Sequence, residues 1–269
     1  MKFIARGDCL YYTEFGTDHE RMMVYIHGGG VSGWMWDKQV EYFSQKFHCL
    51  VLDLPEHGHS RKDEQIFSID HAAEQIIKLI EEKREGKSVV AIGFSLGSQV
   101  LLSMLSKKKD LIDFAMINSA LVKPIPFANI LNKIMARALP LGKKKAFSKV
   151  QAKNLYINEE YFNLYYQESL QINKDAFLRV MNENSSFKIP KTFREYSHNI
   201  LVTVGEKEKK IMKDSMKEIM DNNPNCQGVI IPKIGHGIPL ANPKLFNKML
   251  EEWLDSNLII DEVKLVSNS

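Results

Sequence analysis

The chain of 269 residues, with 44% apolar and 26% charged side chains, is long and apolar enough for one large α/β domain or a domain with an insertion. Its net charge of +3 is too small to indicate a nucleic-acid partner, and we expect none. No stretch approaches the roughly 18 apolar residues of a membrane span, and Arg6 and Asp8 interrupt the N-terminal apolar residues. These features predict a cytoplasmic protein with no membrane span.

Three scattered cysteines, Cys9, Cys49 and Cys226, indicate a reducing compartment and thiols that act as small core or surface residues. Cys9 and Cys49 lack the spacing of a metal-ligand pair, and no other cluster of cysteine and histidine resembles a zinc site. The sequence therefore predicts neither a bound metal nor a cofactor.

Short apolar runs alternate with helical patterns in the N-terminal part of the chain. Residues 9–15 have the pattern of an edge strand, and further apolar runs predict buried strands at 22–26, 49–52, 88–92 and 114–118. Apolar residues at helical spacing predict helices between them at 36–47, 70–85 and 98–105. This alternation indicates a mostly parallel sheet with helices on both faces.

The alternation stops after Ala120. Residues 122–198 contain no convincing parallel strand but four helical segments, which we predict at 128–139, 148–155, 159–170 and 174–184. Because open α/β sheets bind ligands at their strand ends, this position predicts an inserted helical lid, or cap. The strand–helix pattern then resumes, which assigns residues 1–121 and 199–269 to the core. Its predicted elements are strands at 199–205 and 228–231 and helices at 211–220 and 243–254, while residues 257–269 have no clear pattern.

The segment Gly93-Phe94-Ser95-Leu96-Gly97 lies where the strand at 88–92 turns abruptly into the helix at 98–105. A serine at such a turn adopts a strained backbone conformation, and glycines two residues before and after it let the neighbouring backbone pass closely. The turn exposes the hydroxyl above the positive end of the helix. The pattern is typical of a nucleophile elbow and predicts Ser95 as the nucleophile.

A serine hydroxyl is a poor nucleophile without a general base, and histidine has a suitable pKa for that role. His236 follows the last predicted strand, in a loop with glycines on both sides that can reach Ser95 above the strand ends. Three histidines in turn-rich loops are better explained as backbone-shaping residues, namely His27, His57 and His59. The other four are expected to be exposed or half-buried, namely His19, His48, His71 and His198.

The base in turn needs a carboxylate that fixes its tautomer and stabilises the imidazolium. Glu206 and Glu208 both follow the strand that ends at Gly205, and the residues alone leave the two open. The oxyanion needs two backbone N–H donors, for which we predict Leu96, directly after the nucleophile, and Gly29. Gly29 belongs to a run of three glycines after a buried strand, where the backbone can approach a substrate closely.

Together these signals resemble the α/β-hydrolase family over about residues 10–254. The resemblance rests on five segments. They are a His-Gly oxyanion loop at 27–28, an Asp-Leu-Pro-x-His-Gly-His-Ser loop at 53–60, the elbow at 93–97, a Gly-Glu-x-acid loop at 205–208 and a Gly-His loop at 235–236. It implies the α/β-hydrolase fold with an inserted helical cap. It also selects Glu208 as the triad acid, because the acid of the family stands three residues after the glycine.

Two residues depart from the family pattern. Glutamate occupies the acid position where aspartate is commoner, which leaves Glu206 open. Glu56 replaces the usual glycine of the loop that begins at Asp53, where we expect an altered backbone with no effect on the chemistry. The serine nucleophile argues against the related haloalkane dehalogenases and epoxide hydrolases, which use aspartate.

The resemblance implies a serine hydrolase of the carboxylesterase or lipase-like type, which cleaves a carboxylic ester of a small, partly hydrophobic substrate through an acyl-enzyme. Val31, Trp34 and Phe94 are the predicted substrate contacts. The same machinery also serves thioester, lactone and carbon–carbon bond hydrolysis. An alternative from another class is a ligand-binding or signalling module that keeps the triad with little turnover. We expect a monomer or a homodimer that acts on a small molecule.

Overall fold

The computed structural model describes residues 3–5, 10–62 and 66–266. Its strands are β1 Phe3–Ala5, β2 Tyr12–Phe15, β3 Arg21–Ile26, β4 His48–Leu52, β5 Ser88–Phe94, β6 Phe114–Asn118, β7 Asn199–Gly205, β8 Cys226–Ile231 and β9 Lys264–Val266. They form one sheet in the order β1-β2-β4-β3-β5-β6-β7-β8-β9. Pairing is parallel from β4 to β8, whereas β1, β2 and β9 pair antiparallel with their neighbours.

The central strands β3 and β5 are buried along almost their whole length, as their continuous apolar runs require. All the predicted buried strands are present in the sheet. The predicted edge strand begins later than expected, at Tyr12, and Cys9 lies outside the described residues. Strand β9 was not predicted, because its three residues form a short, exposed sheet edge with little apolar periodicity.

The helices are α1 Asp37–Phe43, α2 Ile69–Lys83, α3 Leu96–Lys107, α4 Ala128–Gly142, α5 Lys145–Asn154, α6 Glu159–Gln171, α7 Lys174–Ser186, α8 Lys210–Asn222, α9 Ile238–Ala241 and α10 Pro243–Ser256. Apolar side chains of α2, α3 and α8 pack on one face of the sheet, and those of α1 and α10 pack on the other. Along β3, Met22 and Val24 enter the first layer, whereas Met23 and Tyr25 enter the second. The mostly parallel sheet covered on both faces is thus confirmed.

Four helices, α4 to α7, occupy the segment between β6 and β7, close to their predicted positions. Asn158 and Asn173 begin α6 and α7, because each side chain accepts a hydrogen bond from the backbone N–H three residues later. Helix α4 was predicted to end before Pro140, but it continues through this residue to Gly142. No helix within the described ranges is both long and apolar enough to cross a bilayer.

Candidate active site

Ser95 forms the turn between β5 and α3 in a strained backbone conformation, with φ 52° and ψ −113°. A positive φ is uncommon for a residue with a side chain and needs support from its surroundings. The Ser95 N–H donates a hydrogen bond of 2.8 Å to the Asn118 carbonyl at the end of β6. Its own carbonyl accepts from Ser98 and Gln99 in the first turn of α3. The turn is therefore held at both ends.

Glycine is required on both sides of this turn because backbones approach each other there. A Cβ atom at Gly93 would lie 2.6 Å from the Gly97 carbonyl oxygen. A Cβ atom at Gly97 would lie only 2.3 Å from the carbonyl oxygen of Ile26, the last residue of β3. Both distances are far below van der Waals contact, so a side chain at either position would collide with the neighbouring backbone. This close approach explains the two glycines of the elbow pattern.

The two predicted oxyanion donors lie side by side at this turn. Leu96 is the first residue of α3, where a helix leaves N–H groups without an acceptor of its own. A Cβ atom at Gly29 would contact the Leu96 side chain at 3.7 Å. Gly29, Ser95 and Leu96 also line the same cavity. The structure thus brings together the residues that the sequence predicts for an oxyanion hole.

His236 is hydrogen bonded to Glu208, at 2.8 Å between Nδ1 and Oε2. The other Glu208 oxygen accepts hydrogen bonds from the Ser119 hydroxyl at 2.7 Å and from the Gly205 N–H at 3.0 Å. Burial opposes ionisation of Glu208, but the hydrogen bonds from His236, Ser119 and Gly205 lower its pKa below the ordinary value. The carboxylate is therefore charged at neutral pH and can hold the imidazole.

Glu206, the other candidate acid, lies away from His236. Its carboxylate pairs with Lys264 at 2.6 Å and accepts a hydrogen bond from the Lys233 N–H. Its side chain is more than a third exposed, whereas that of Glu208 is 2% exposed. Only Glu208 of these two candidates contacts the imidazole.

The His236 ring packs against Phe94, the residue before Ser95, with 4.9 Å between ring centroids. This contact places the imidazole beside the elbow, although the Ser95 hydroxyl does not hydrogen bond to it within the described residues. A loose arrangement of this kind is common before substrate binds. The loop is also held from the cap segment, because the Gly235 N–H donates a hydrogen bond of 2.8 Å to the Tyr156 hydroxyl. Sequence patterns did not indicate Ser119 or Tyr156.

The His27 side chain shapes the backbone, as predicted. Its Nδ1–H donates to the Gly28 carbonyl at 2.7 Å, and its Nε2 accepts from the Leu54 N–H at 2.9 Å. Burial lowers the pKa of His27, so the ring stays neutral in this role. His48 was expected to be exposed or half-buried, which is wrong, because it is buried in β4 and bonded to Glu14.

A cavity of about 410 Å³ lies between the Ser95 turn and helices α4 to α7. Its apolar wall consists mainly of side chains from α4 and α7 and from the end of α5, among them Leu139, Leu155, Phe177, Val180 and Met181. Val31, Trp34 and Phe94 are buried and are not among the described residues that line it. Their predicted contact with substrate stays a prediction. Sequence patterns could not show which cap residues line the cavity, because side chains from four separate helices meet there.

Charged side chains also line this cavity. Arg61 donates hydrogen bonds to the Glu56 carbonyl at 3.1 Å and the Glu168 carbonyl at 2.6 Å, and within the described residues it forms no ion pair. Lys143 donates to the Leu170 carbonyl at 2.8 Å. The Glu56 carboxylate, in contrast, is neutralised by the Arg179 guanidinium, through both of its oxygens. The cavity wall thus carries more positive than negative charge.

Residues 10–62 and 66–266 contain no group of three or more His, Cys, Asp or Glu side chains that could hold a metal ion. A family model described as the alpha/beta hydrolase family matches residues 23–249. The uncharacterised hydrolase YugF of Bacillus subtilis is 23% identical over 269 residues, which cover 94% of this chain and 97% of that protein. A pimeloyl-[acyl-carrier protein] methyl ester esterase of Nitrosomonas europaea is 37% identical over 82 residues, or 30% of each chain.

Solved structures share the fold. A bromoperoxidase from Bacillus anthracis superposes with a TM-score of 0.81 at 18% identity, over 95% of this chain and 100% of that one. At this identity the likeness concerns the arrangement of helices and strands rather than the reaction. The family match over most of the length, together with the sheet order, shows that this chain belongs to the alpha/beta hydrolase family.

Proposed function

We propose that the protein is a serine hydrolase that cleaves a carboxylic ester of a small, partly hydrophobic substrate. The observation that carries the proposal is the hydrogen bond of 2.8 Å between His236 and the buried Glu208 carboxylate, beside the strained turn at Ser95. Because Nδ1–H of His236 donates its hydrogen bond to the Glu208 carboxylate, Nε2 of the neutral imidazole is left as the base. The esterase among the relatives supports an ester as the substrate.

In the first half of the reaction, Ser95 Oγ attacks the ester carbonyl while His236 Nε2 takes the hydroxyl proton. The carbonyl oxygen becomes an oxyanion, which accepts hydrogen bonds from the N–H groups of Gly29 and Leu96. The tetrahedral intermediate then expels the alcohol, which receives the proton from His236. In the second half, water attacks the acyl-enzyme by the same route and releases the acid.

The cap segment, residues 122–198, covers the acyl site in this proposal. The apolar wall described above suits an alkyl or aryl group, and a volume of about 410 Å³ limits the substrate to a small molecule. Glu168 in α6 supports the cap by accepting hydrogen bonds from the Ser32 hydroxyl and the Trp34 indole, at 2.7 Å and 3.1 Å. These contacts join the cap to the loop that carries Gly29.

Arg61 and Lys143 favour a substrate with an anionic group away from the scissile bond. Both cations line the cavity and are bonded to neutral carbonyls. Arg61 is partly buried, and among the described residues its guanidinium hydrogen bonds to backbone carbonyls only, so a carboxylate of the substrate could offset part of the free-energy cost of its burial. We therefore expect half-esters of dicarboxylic acids to be better substrates than neutral esters of the same length.

Steady-state hydrolysis of a panel of short esters, neutral and carboxylate-bearing, tests the proposal. Wild-type protein should turn over and be labelled by a fluorophosphonate, whereas Ser95→Ala should lose both, with a rate lower by about 10³-fold or more. Arg61→Gln should raise KM for the anionic esters only. Circular dichroism and thermal unfolding of each variant serve as controls for folding.

A wild-type protein that neither hydrolyses esters nor reacts with the fluorophosphonate would refute the proposal and favour a binding module. Turnover that survives Ser95→Ala would exclude Ser95 as the nucleophile. Equal effects of Arg61→Gln on neutral and anionic esters would refute only the anionic preference.

A further inference from the structure

The cap helices α4 and α5 expose large apolar side chains to solvent. Along α4 these side chains recur at helical spacing and are each about half exposed, namely Ile130, Leu131, Ile134 and Met135. The buried positions of α4 are instead Asn132 and Ala136. A helix that only packs on its own core has the opposite pattern. Further exposed apolar side chains of α4, α5 and the residue before α4 are Phe127, Leu141, Phe147 and Val150, and we call all eight residues together the cap face.

The same segment is strongly basic. Residues 122–158 contain eight lysines and arginines and no acidic residue. Since the whole chain has 36 basic and 33 acidic side chains, the rest of it has 28 basic and 33 acidic ones and carries the opposite net charge. Lys133, Arg137 and Lys144 are exposed on the cap helices. Arg137, Lys143 and Lys174 line a groove of about 440 Å³ at the end of α4.

We propose that the cap face binds the surface of an anionic lipid bilayer. Helix α4 carries two exposed cations, Lys133 and Arg137, beside its exposed apolar side chains, a composition found in helices that lie in the interface of a membrane. The apolar side chains would enter the acyl boundary, while Lys133 and Arg137 contact phosphate headgroups. A symmetric dimer through two cap faces is a poorer occupant, because two surfaces of equal positive charge repel each other.

This placement has a consequence for the cavity. The inner sides of α4 and α5 contribute Leu139, Lys143, Gln151 and Leu155 to the cavity that contains Ser95. A cap bound to the bilayer would therefore bring the cavity next to the place where partly apolar molecules accumulate. Binding itself requires no catalysis, so the inference can be tested without the proposed hydrolase activity.

Co-sedimentation of the full chain with vesicles tests the inference. We expect binding to vesicles that contain phosphatidylglycerol in phosphatidylcholine, and much weaker binding to pure phosphatidylcholine. High salt should weaken the binding, because exposed charges are screened. Ser95→Ala should bind like the wild type.

Matched pairs of variants test whether the cap face is the surface used. Ile134→Glu should weaken binding by about ten-fold or more, whereas Leu258→Glu, the same change at an exposed apolar residue after α10, should not. Lys144→Glu should weaken binding more than Lys217→Glu in α8. Thermal unfolding controls for the fold of all four variants.

Absence of binding to anionic vesicles overturns the proposal, and so does equal loss in Ile134→Glu and Leu258→Glu. A dimer in light scattering that Ile134→Glu dissociates, in a protein that does not bind vesicles, would show that a second copy covers the cap face. Binding only to an acidic protein, with none to vesicles, would likewise overturn the proposal.

Discussion

At the scale of single residues, the environment of Glu208 separates it from Glu206. Glu208 is buried and has three hydrogen-bond donors, from His236, Ser119 and Gly205, whereas Glu206 is exposed and pairs with Lys264. A carboxylate can orient an imidazole only if its own position is fixed. The contacts of Glu208 meet this condition.

Glu208→Gln should therefore reduce kcat for ester hydrolysis by about 10³- to 10⁴-fold, because the amide cannot stabilise the imidazolium. Glu206→Gln, a matched change two residues earlier, should leave kcat within about two-fold of wild type, because its carboxylate touches only Lys264 and the Lys233 N–H. Steady-state kinetics on one ester measure both variants. A larger loss of kcat in Glu206→Gln than in Glu208→Gln would show that Glu206, and not Glu208, is the triad acid.

Glu56 shows how a residue that departs from the family pattern is accommodated. Its φ of 64° lies in the left-handed region, which glycine adopts without steric cost. The altered loop backbone expected at Glu56 stays a prediction. The side chain pairs with Arg179 of α7 and accepts a hydrogen bond from the Phe67 N–H at 3.2 Å.

At the scale of elements, the ion pair between Glu56 and Arg179 attaches α7 to the loop after β4. Substitution of its two residues should lower the free energy of unfolding by unequal amounts. Arg179→Met leaves a half-buried, unpaired Glu56 carboxylate and should lower the free energy of unfolding by about 1–3 kcal/mol. Glu56→Gly loses the same ion pair, but glycine adopts the left-handed backbone without the steric cost of about 1 kcal/mol that a side chain adds. Glu56→Gly should therefore lower the free energy of unfolding less than Arg179→Met. Urea denaturation measures both. If Glu56→Gly is the more damaging variant, the backbone argument fails.

The helices between β6 and β7 are joined to the rest of the chain by specific side-chain hydrogen bonds. Besides Arg179, the Glu183 carboxylate of α7 accepts a hydrogen bond from the Ile69 N–H at the start of α2, at 2.8 Å. The Gln99 side chain of α3 donates to the Asn184 carbonyl at 2.8 Å. These bonds lie on α7, and Glu168 of α6 accepts further hydrogen bonds from Ser32 and Trp34, whereas α4 contacts mainly α7 and α5. Helices α6 and α7 therefore attach this segment to the core, and α4 leaves its apolar side exposed.

At the scale of the whole molecule, buried histidines make stability depend on pH. Burial lowers the pKa of His57 from 6.5 to about 3, and the nearby charge of Arg61 acts in the same direction. Between about pH 3 and pH 6.5, His57 binds a proton in the unfolded chain but not in the folded protein. The free energy of unfolding therefore rises as the pH rises and falls as the pH falls. The lowered pKa of Glu208 adds a further loss only below its ordinary value of 4.5.

We expect the free energy of unfolding to be lower at pH 4 than at pH 7, with about 3 kcal/mol of the difference due to His57. His57→Gln should reduce this pH dependence, because glutamine does not titrate. Exposed His71 provides the control, and His71→Gln should keep the slope of the wild type. Urea denaturation between pH 4 and pH 7 checks all three proteins. Equal slopes for wild type and His57→Gln would contradict the prediction.

The elements of the core and the elbow can be predicted from the order of the amino acids alone. Strands β3 and β5 are read from continuous apolar runs, and Ser95 from glycines at fixed offsets, because both depend on neighbours along the chain. Tertiary structure decided what depends on residues far apart. The family resemblance selects Glu208, but the hydrogen bonds that its carboxylate accepts from Ser119 and His236 join residues far apart in the chain and are seen only in the folded molecule. The direction of the apolar side of α4 likewise follows from its packing on α7. Periodicity shows that a helix has an apolar side, but only the packed molecule decides which way that side faces.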